Sequence, residues 1–415
     1  MIAIVGAGIG GLAVGHFLDG AGSEYVLLEA SDHAGGMVGS TVVDGVILER
    51  GPQRARLTPP LRRLVDRLGL ADALVLAPEL PLYMRVNGRF EAVPFSARDA
   101  LRTGVIGRPE QLRVLLEPLL PGLRAGETAG DFFERKFGRS TYRRLVAPLF
   151  GGLFASDPAD MPARHCLAPI LAALGVRRSL LLALVRGARG RSAAPACSFQ
   201  GGLQVLVDAL AEERGERLRR CAPVRELRRE GSRVRVVVDG GDVLADHVVL
   251  TCPADRAATL VRPLNSEAAR RMGWLRYNPL AVVHLASNAD FRALGYHLPL
   301  DDGHATWGVT ANHAVFGREG LYTAFLGGAK LPAIHRMTDA DVAERAVDEF
   351  QSIMGEPARA IAVDRARMPA WDRSWDGITG LRLPAGVHAC ASWNGRPGLT
   401  GRLMAAERLA SVLSR

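Results

Sequence analysis

The first eleven residues, M-I-A-I-V-G-A-G-I-G-G, constrain the fold more than any other stretch of the chain. Ile2, Ala3, Ile4 and Val5 form a short apolar run with no polar face, which predicts a central parallel strand. Gly6, Gly8 and Gly11 then spell G-x-G-x-x-G. The first glycine allows a tight turn, the second lets a pyrophosphate approach the backbone, and the third lets the next helix pack on the strand. That helix is predicted over 10–20, with Ile9 and Gly10 at its start. Leu12, Ala13, Phe17 and Leu18 face the sheet, and the N-terminal N–H groups face the phosphates. A second strand is predicted over 25–28, closing with Glu29 and Ala30. An acid about 20 residues beyond the glycines accepts hydrogen bonds from the ribose hydroxyls and disfavours a 2′-phosphate. Strand, loop, helix, strand and acid together point to a bound dinucleotide and an α/β fold.

The next ten residues bear on which dinucleotide. Five residues after Glu29 come Gly35-Gly36, in E-A-S-D-H-A-G-G-M-V. A second glycine pair so near the ribose acid lets the backbone pass close to a large ligand. This pairing resembles the FAD-binding signature of the flavin amine oxidase superfamily, which includes protoporphyrinogen oxidases, amine oxidases and phytoene desaturases. The resemblance implies FAD as cofactor, with Gly6, Gly8, Ile9, Gly10, Gly11, Glu29, Ala30, Gly36 and Met37 around it. It also exposes a departure: those families often carry Arg or Lys after the second glycine, where this chain has Met37. A basic contact to the pyrophosphate is then missing or comes from elsewhere.

A length of 415 residues exceeds one ordinary core and predicts two or three domains. With 48% hydrophobic and 23% charged residues the composition is that of a soluble globular protein. The N-terminus enters a strand at once, without a basic leader, and no apolar run approaches membrane-spanning length, so a cytoplasmic protein is expected. Cys166, Cys197, Cys221, Cys252 and Cys390 are scattered and predict reduced thiols, with no metal site. The net charge is +9, and Lys136 and Lys330 are the only lysines. Such a charge suits an acidic substrate or an anionic membrane surface, or reflects an arginine-rich composition. Arginine is spread along the chain without a recognition module, so no nucleic-acid partner is expected.

The predicted elements alternate between two kinds of structure. A mainly helical stretch covers 61–191, with helices over 61–70, 111–119 and 128–137. A hairpin over 82–93 interrupts it, turning at Asn87-Gly88. From Ser198 on, Gly201-Gly202 precede an amphipathic helix, followed by strands over 224–228, 234–238 and 245–250, the last two joined at Asp239-Gly240-Gly241. Further strands are predicted at 280–287, 322–327 and 386–391, with helices over 340–354 and from about 401. The fold expected is α/β: a Rossmann-type FAD-binding domain with an interleaved α+β substrate domain and a helical insertion. The FAD-binding domain is assigned to 1–52, 196–256 and 380–415, the substrate domain to 53–98 and 257–379, and a helical, membrane-facing insertion to 99–195.

Beyond residue 40 the chain resembles the protoporphyrinogen oxidase branch. E-R-G-P (Glu49 to Pro52), followed by Gln53, resembles the turn beneath the flavin ring, and the resemblance places Gly51, Pro52 and Gln53 at the cofactor. R-V-N-G-R-F-E-A-V-P-F-S-A-R over 85–98 is similar to an arm ending in arginine, which implies that Arg98 holds a substrate propionate; a solvated arginine at a helix start is the alternative. E-T-A-G-D-F-F-E-R-K-F-G-R with A-P-L-F-G-G-L-F-A-S-D-P-A-D-M, over 127–161, is the closest match. S-F-Q-G-G-L-Q-V-L-V-D-A-L and A-P-V-R-E-L also resemble the branch, the latter implying that Val224 clasps the adenine through its backbone. W-N-G-R-P-G-L-T-G-R-L-M-A-A over 393–406 is similar to a shortened flavin loop, so Trp393, Gly398, Leu399 and Thr400 are candidates for the ring. The resemblance is thin between 260 and 380.

Oxidation of a porphyrinogen (protoporphyrinogen IX or coproporphyrinogen III) in haem biosynthesis, with dioxygen as acceptor, is what this resemblance implies. Other apolar carboxylated substrates stay open, as do an isoprenoid or amine oxidase and a flavin-binding protein without catalysis. Amine oxidases usually place a lysine near the flavin; here Lys136 is expected on a surface-like helix and Lys330 lacks matching context. No catalytic acid–base pair stands out, and His304 and His313 read as structural. S-L-L-L-A-L-V-R-G-A-R-G-R over 179–191 is read as a buried helix with a basic end, or as a peripheral contact with the inner face of a membrane.

Overall fold

The structure, a computed structural model, describes all residues except 101, 188–193 and 396, and excludes the side chains of 97, 98 and 184–187. The chain forms two compact units. The first comprises Met1–Ala77, Ala194–Leu275 and Asp376–Arg415; the second comprises Pro78–Ala193 and Arg276–Trp375.

In the first unit the strand Ile2–Val5 sits at the centre of a five-stranded parallel sheet. The order is Leu218–Arg219, Tyr25–Leu28, Ile2–Val5, His247–Leu250, Val387–Ala389. All four residues of the central strand are buried, which is why it carries no polar face. The helices Ile9–Gly20, Gln204–Arg214 and Leu399–Leu413 contribute Leu12, Leu18, Leu206, Leu210, Leu403 and Ala406 to the same core as Ile2, Ile4 and Leu27.

The strand expected over 245–250 is in fact two strands in different sheets. Val243–Ala245 pairs antiparallel with Arg233–Val238, whereas His247–Leu250 runs parallel to Ile2–Val5. Asp246 marks the switch: its N–H donates to the Met1 carbonyl and its carboxylate pairs with the N-terminal ammonium at 2.9 Å. A hairpin of Ser40–Val43 and Val46–Glu49 had no sequence signal beyond Asp44-Gly45, both with positive φ.

The second unit is built on a seven-stranded mixed sheet, in the order Ala358–Pro369, Tyr277–Ser287, Leu321–Gly327, Thr306–Ala311, Gly295–His297, Leu82–Val86, Arg89–Ala92. The helix Asp339–Met354 lays Val342, Ala346 and Phe350 against Ala281, Val283, Tyr322 and Leu326. The long edge strand Ala358–Pro369 escaped the sequence reading because its arginines and half-buried positions blur the alternation.

These units divide the chain differently from the three domains expected. The helical stretch after the hairpin is not separate: Phe137, Leu145 and Leu149 pack around Met84 and Val86 of the hairpin strand. Residues 53–77 join the first unit because Leu57, Leu61, Leu64 and Val65 enter its core. Residues 257–275 join it as two helices, Ala254–Val261 and Ser266–Met272, packed on one another, the first also meeting the strand Val224–Glu230.

Candidate cofactor site

The glycine loop joins the central strand to its helix with very little space. A Cβ on Gly11 would lie 2.0 Å from the Gly6 carbonyl oxygen, so only glycine lets the helix approach the strand. A Cβ on Gly10 would lie 2.6 Å from the Cys390 carbonyl, which brings the end of the last strand to the helix start. Thr251, unremarked in the sequence, fastens the turn: its hydroxyl donates to Val5 O at 2.8 Å or to Gly6 O at 2.7 Å. Gly8 differs, since a Cβ there meets nothing closer than 3.9 Å. Gly8 caps the helix without any side-chain hydrogen bond, leaving N–H groups of the first turn free for an anion.

The second glycine pair lies against this loop. Gly8 and Gly35 form a parallel bridge, the Gly35 N–H donating to Ala7 O at 2.8 Å. A Cβ on Gly36 would lie 3.3 Å from Gly8 Cα. The two motifs, far apart in sequence logic, therefore form one cradle. Glu29 closes its side: Oε2 accepts from Ala7 N–H at 2.6 Å, and Oε1 from the N–H and hydroxyl of Ser31 at 2.9 and 2.8 Å. The carboxylate is half-buried and held in place, suited to a ribose diol. Ala30 and Met37 are exposed beside it, and Ile9 is half-buried. The loop before Val224 is tied to the same corner, with Ala222 N–H on Glu29 O and Cys221 N–H on Ser31 O.

The Gly51-Pro52 turn abuts this cradle. A Cβ on Gly51 would lie 2.1 Å from the Met37 carbonyl. Gln53 is buried, its amide N–H groups reaching the carbonyls of Glu49 and Gly51, so its side chain braces the turn. Glu49, fully buried, gathers the hydroxyls of Ser40 and Ser198 and the N–H of Leu203. It clasps the hairpin, a second small sheet and the Gly201-Gly202 turn together; its serine partners carried no sequence signal.

The C-terminal loop holds the remaining candidates. Trp393 is 1% exposed and its indole N–H donates to Cys252 O at 2.9 Å, so its side chain braces the loop. Arg402, also buried, reaches the Ala391 carbonyl from below. Gly398, at φ +83°, opens the last helix without a side-chain cap; Leu399 packs on the core, and the Thr400 and Thr58 hydroxyls share a hydrogen bond of 2.8 Å.

In the second unit both lysines are committed. Lys136 is fully buried, not surface-like: its ammonium pairs with Glu117 at 2.8 Å and donates to the carbonyls of Leu120 and Arg178. The helix turns this residue inward beside Phe132 and Phe133, which the sequence pattern around Lys136 did not indicate. Lys330 donates to Asp302 at 3.1 Å and Thr306 O at 2.9 Å; burial lowers its pKa against the pull of Asp302. The run resembling the family most closely is pinned by region 260–380. Ala155, in the left-handed region at φ 49°, accepts from the Asn278 side chain at 2.7 Å, and the Ser156 hydroxyl donates to Ala370 O at 2.6 Å. Trp371, also left-handed at φ 45°, stacks on Trp375 and leans on Phe154. Arg98 lies in the short helix Ala97–Ala100, and its side chain is outside the described residues.

A paired-glycine cradle, an uncapped helix start and a fixed carboxylate fit a dinucleotide, and their residues would hold its pyrophosphate and adenosine ribose. They define a dinucleotide-binding protein of the α/β class. The chain belongs to the family described as flavin containing amine oxidoreductase, whose model matches residues 9–382, and FAD is its cofactor. It is 24% identical over 396 residues to chloroplastic protoporphyrinogen oxidase of Nicotiana tabacum, covering 85% of this chain and 72% of that one. It is 28% identical to human protoporphyrinogen oxidase (80% and 78%), and 25% identical to coproporphyrinogen III oxidase of Bacillus subtilis (86% and 84%). A candidate protoporphyrinogen oxidase from Exiguobacterium sp. 255-15 shares the fold with a TM-score of 0.83 at 22% identity, covering 100% and 98% of the two chains. Cyclohexylamine oxidase from Brevibacterium oxydans IH-35A gives a TM-score of 0.70 at 17% identity, with 100% and 99% covered. The fold therefore does not choose the substrate.

Proposed function

We propose that this protein oxidises a porphyrinogen of haem biosynthesis, protoporphyrinogen IX or coproporphyrinogen III, to the porphyrin, with dioxygen as final acceptor. The observation that carries this reading is similarity to porphyrinogen oxidases over four-fifths or more of the chain. The sequestered lysines argue in the same direction: neither ammonium is free to serve an amine oxidation.

When bound, FAD would supply the redox chemistry as hydride acceptor, and the residues of this chain would hold and orient it. The uncapped first turn at Gly8 to Gly11 holds the pyrophosphate, and Glu29 receives the ribose hydroxyls. The backbone of Val224 borders the adenine. The start of the last helix, at Gly398 to Thr400, directs N–H groups to the carbonyl edge of the ring. Arg98 holds a propionate through its planar fork.

Among the described residues no helix is long and apolar enough to cross a membrane. The protein works in the cytoplasm with a peripheral contact to an anionic leaflet. Exposed Leu112, Leu115, Leu116 and Leu119 support this, on a stretch that also carries Arg108, Arg113 and Arg124. Part of the 179–191 segment lies outside the described residues; its helix runs Leu180–Gly187, with Leu182 exposed.

The test is to purify the yellow protein and follow porphyrin fluorescence with each porphyrinogen in air. Porphyrin formed faster than by autoxidation from either one supports the reading. A flavin-loaded protein that oxidises neither refutes it and leaves the isoprenoid, amine or non-catalytic alternatives.

A further inference from the structure

The residue after the second glycine is Met37, which brings no charge to the cradle, and a cation stands close by, just past the end of a different strand. Arg50 follows the hairpin strand Val46–Glu49, and its N–H donates to Gly39 O at 2.9 Å. Its guanidinium lies against Gly39, with Nη1 toward His33. A Cβ on Gly39 would lie 2.3 Å from Arg50 Nη2 and 3.0 Å from Nε, so Gly39 is glycine at the place where the guanidinium crosses. Gly51, the next residue, touches the Met37 carbonyl. Arg50 is thereby held on a segment next to Met37, through Gly39 on one side and Gly51 on the other.

The charge is also uncommitted. Arg50 makes no ion pair with a carboxylate among the described residues. Its one polar side-chain contact is Nη1 to His33 Nε2 at 3.4 Å. His33 in turn meets Asp32 at 2.8 Å through Nδ1, so the nearest carboxylate is one group removed and highly exposed. Nε is buried without a hydrogen-bond partner among the described residues. An arginine donor shielded from water and left unmatched is costly unless something with an anionic oxygen arrives. The Nε–Nη edge of guanidinium matches two oxygens of one phosphate.

We infer that Arg50 is a cofactor-binding residue: it supplies the positive charge for the diphosphate of the bound dinucleotide, replacing the basic side chain absent at Met37. The inference concerns FAD binding alone and stands apart from the choice of substrate.

The test uses the FAD-loaded protein and four variants: Arg50→Met, Arg50→Lys, Arg50→Gln, and Arg50→Met combined with Met37→Arg. FAD release on dilution is followed by the rise in flavin fluorescence, and ADP and adenosine are compared as competitors of rebinding. ADP carries the diphosphate; adenosine does not. Arg50→Met is expected to weaken FAD binding about tenfold or more, the scale of one charge-assisted hydrogen bond. The advantage of ADP over adenosine should fall by the same factor. Adding Met37→Arg should restore most of both. Arg50→Lys should keep part of the ADP advantage, and compared with Arg50→Gln it decides the matter if Arg50→Met does not fold. FAD release within twofold of the parent overturns the inference. So does an equal loss for ADP and adenosine, or an ADP advantage that Lys and Gln lose alike.

Discussion

Gly8→Ala separates what the cradle needs for folding from what it needs for its ligand. Gly8 has φ −64° and ψ 173°, a conformation open to any residue. The added Cβ would find Gly35 O at 3.9 Å and Gly36 Cα at 4.0 Å, ordinary contact distances. The unliganded fold should therefore keep its stability, or gain roughly 0.4–1 kcal/mol from a stiffer unfolded chain. The methyl instead stands on the open side, where a phosphate must come within about 2.7–2.9 Å of backbone N–H groups. Loss of one such bond costs about 1.5–3 kcal/mol, or roughly 10–150-fold in Kd. Gly11→Ala is the contrast: its Cβ would sit 2.0 Å from Gly6 O, so the apoprotein itself should lose about 1–3 kcal/mol. The assay pairs thermal unfolding of each apoprotein with titration by FAD, read as quenching of flavin fluorescence. If Gly8→Ala binds FAD like the parent, or unfolds as early as Gly11→Ala, the cradle has been misread.

Other outcomes follow from the second unit. Lys136→Met should destabilise the fold by about 3–5 kcal/mol in chemical denaturation, because Glu117 is left buried without its counter-charge. Burial raises the Glu117 pKa, but hydrogen bonds from Lys136, Ser179 and Leu180 N–H outweigh it, and the folded value lies below the ordinary 4.5. A depressed carboxylate stabilises the fold above its unfolded pKa and loses that contribution as pH falls through the folded value. Acid unfolding of the parent should thus steepen below pH 4.5, and Lys136→Met should flatten that dependence. Arg98→Ala is expected to raise KM for a propionate-bearing porphyrinogen while FAD stays bound; an unchanged KM removes Arg98 from the site. Flotation with anionic liposomes at low salt should carry the protein upward, and Leu115→Glu with Leu119→Glu should abolish this; no flotation of the parent ends the membrane reading.

The cradle was legible because its parts are local. A buried strand, three glycines and an acid at the end of the next strand lie within 29 residues, and each serves a backbone need that only that residue type meets. Less local parts were invisible. Thr251 acts on the glycine loop from a distant segment, and nothing in its own neighbourhood marks it. Trp393 looked like a ring contact by its place in a motif, yet burial turns its indole to Cys252. Lys136 looked solvated on an amphipathic helix, although the partner that holds it there is Glu117, 19 residues away.

The amino-acid order alone pointed to a dinucleotide at the start of the chain, because turn geometry, helix packing and ribose recognition are short-range demands; FAD was what the family resemblance implied. It also pointed to the porphyrinogen oxidase branch through runs of matching residues. Tertiary structure decided how the charges are arranged. It placed the guanidinium of Arg50 against Gly39, just past the glycine pair, and it removed both lysines from solvent by pairing them within the second unit. Such pairings depend on which distant backbones meet, and sequence spacing carries no record of that.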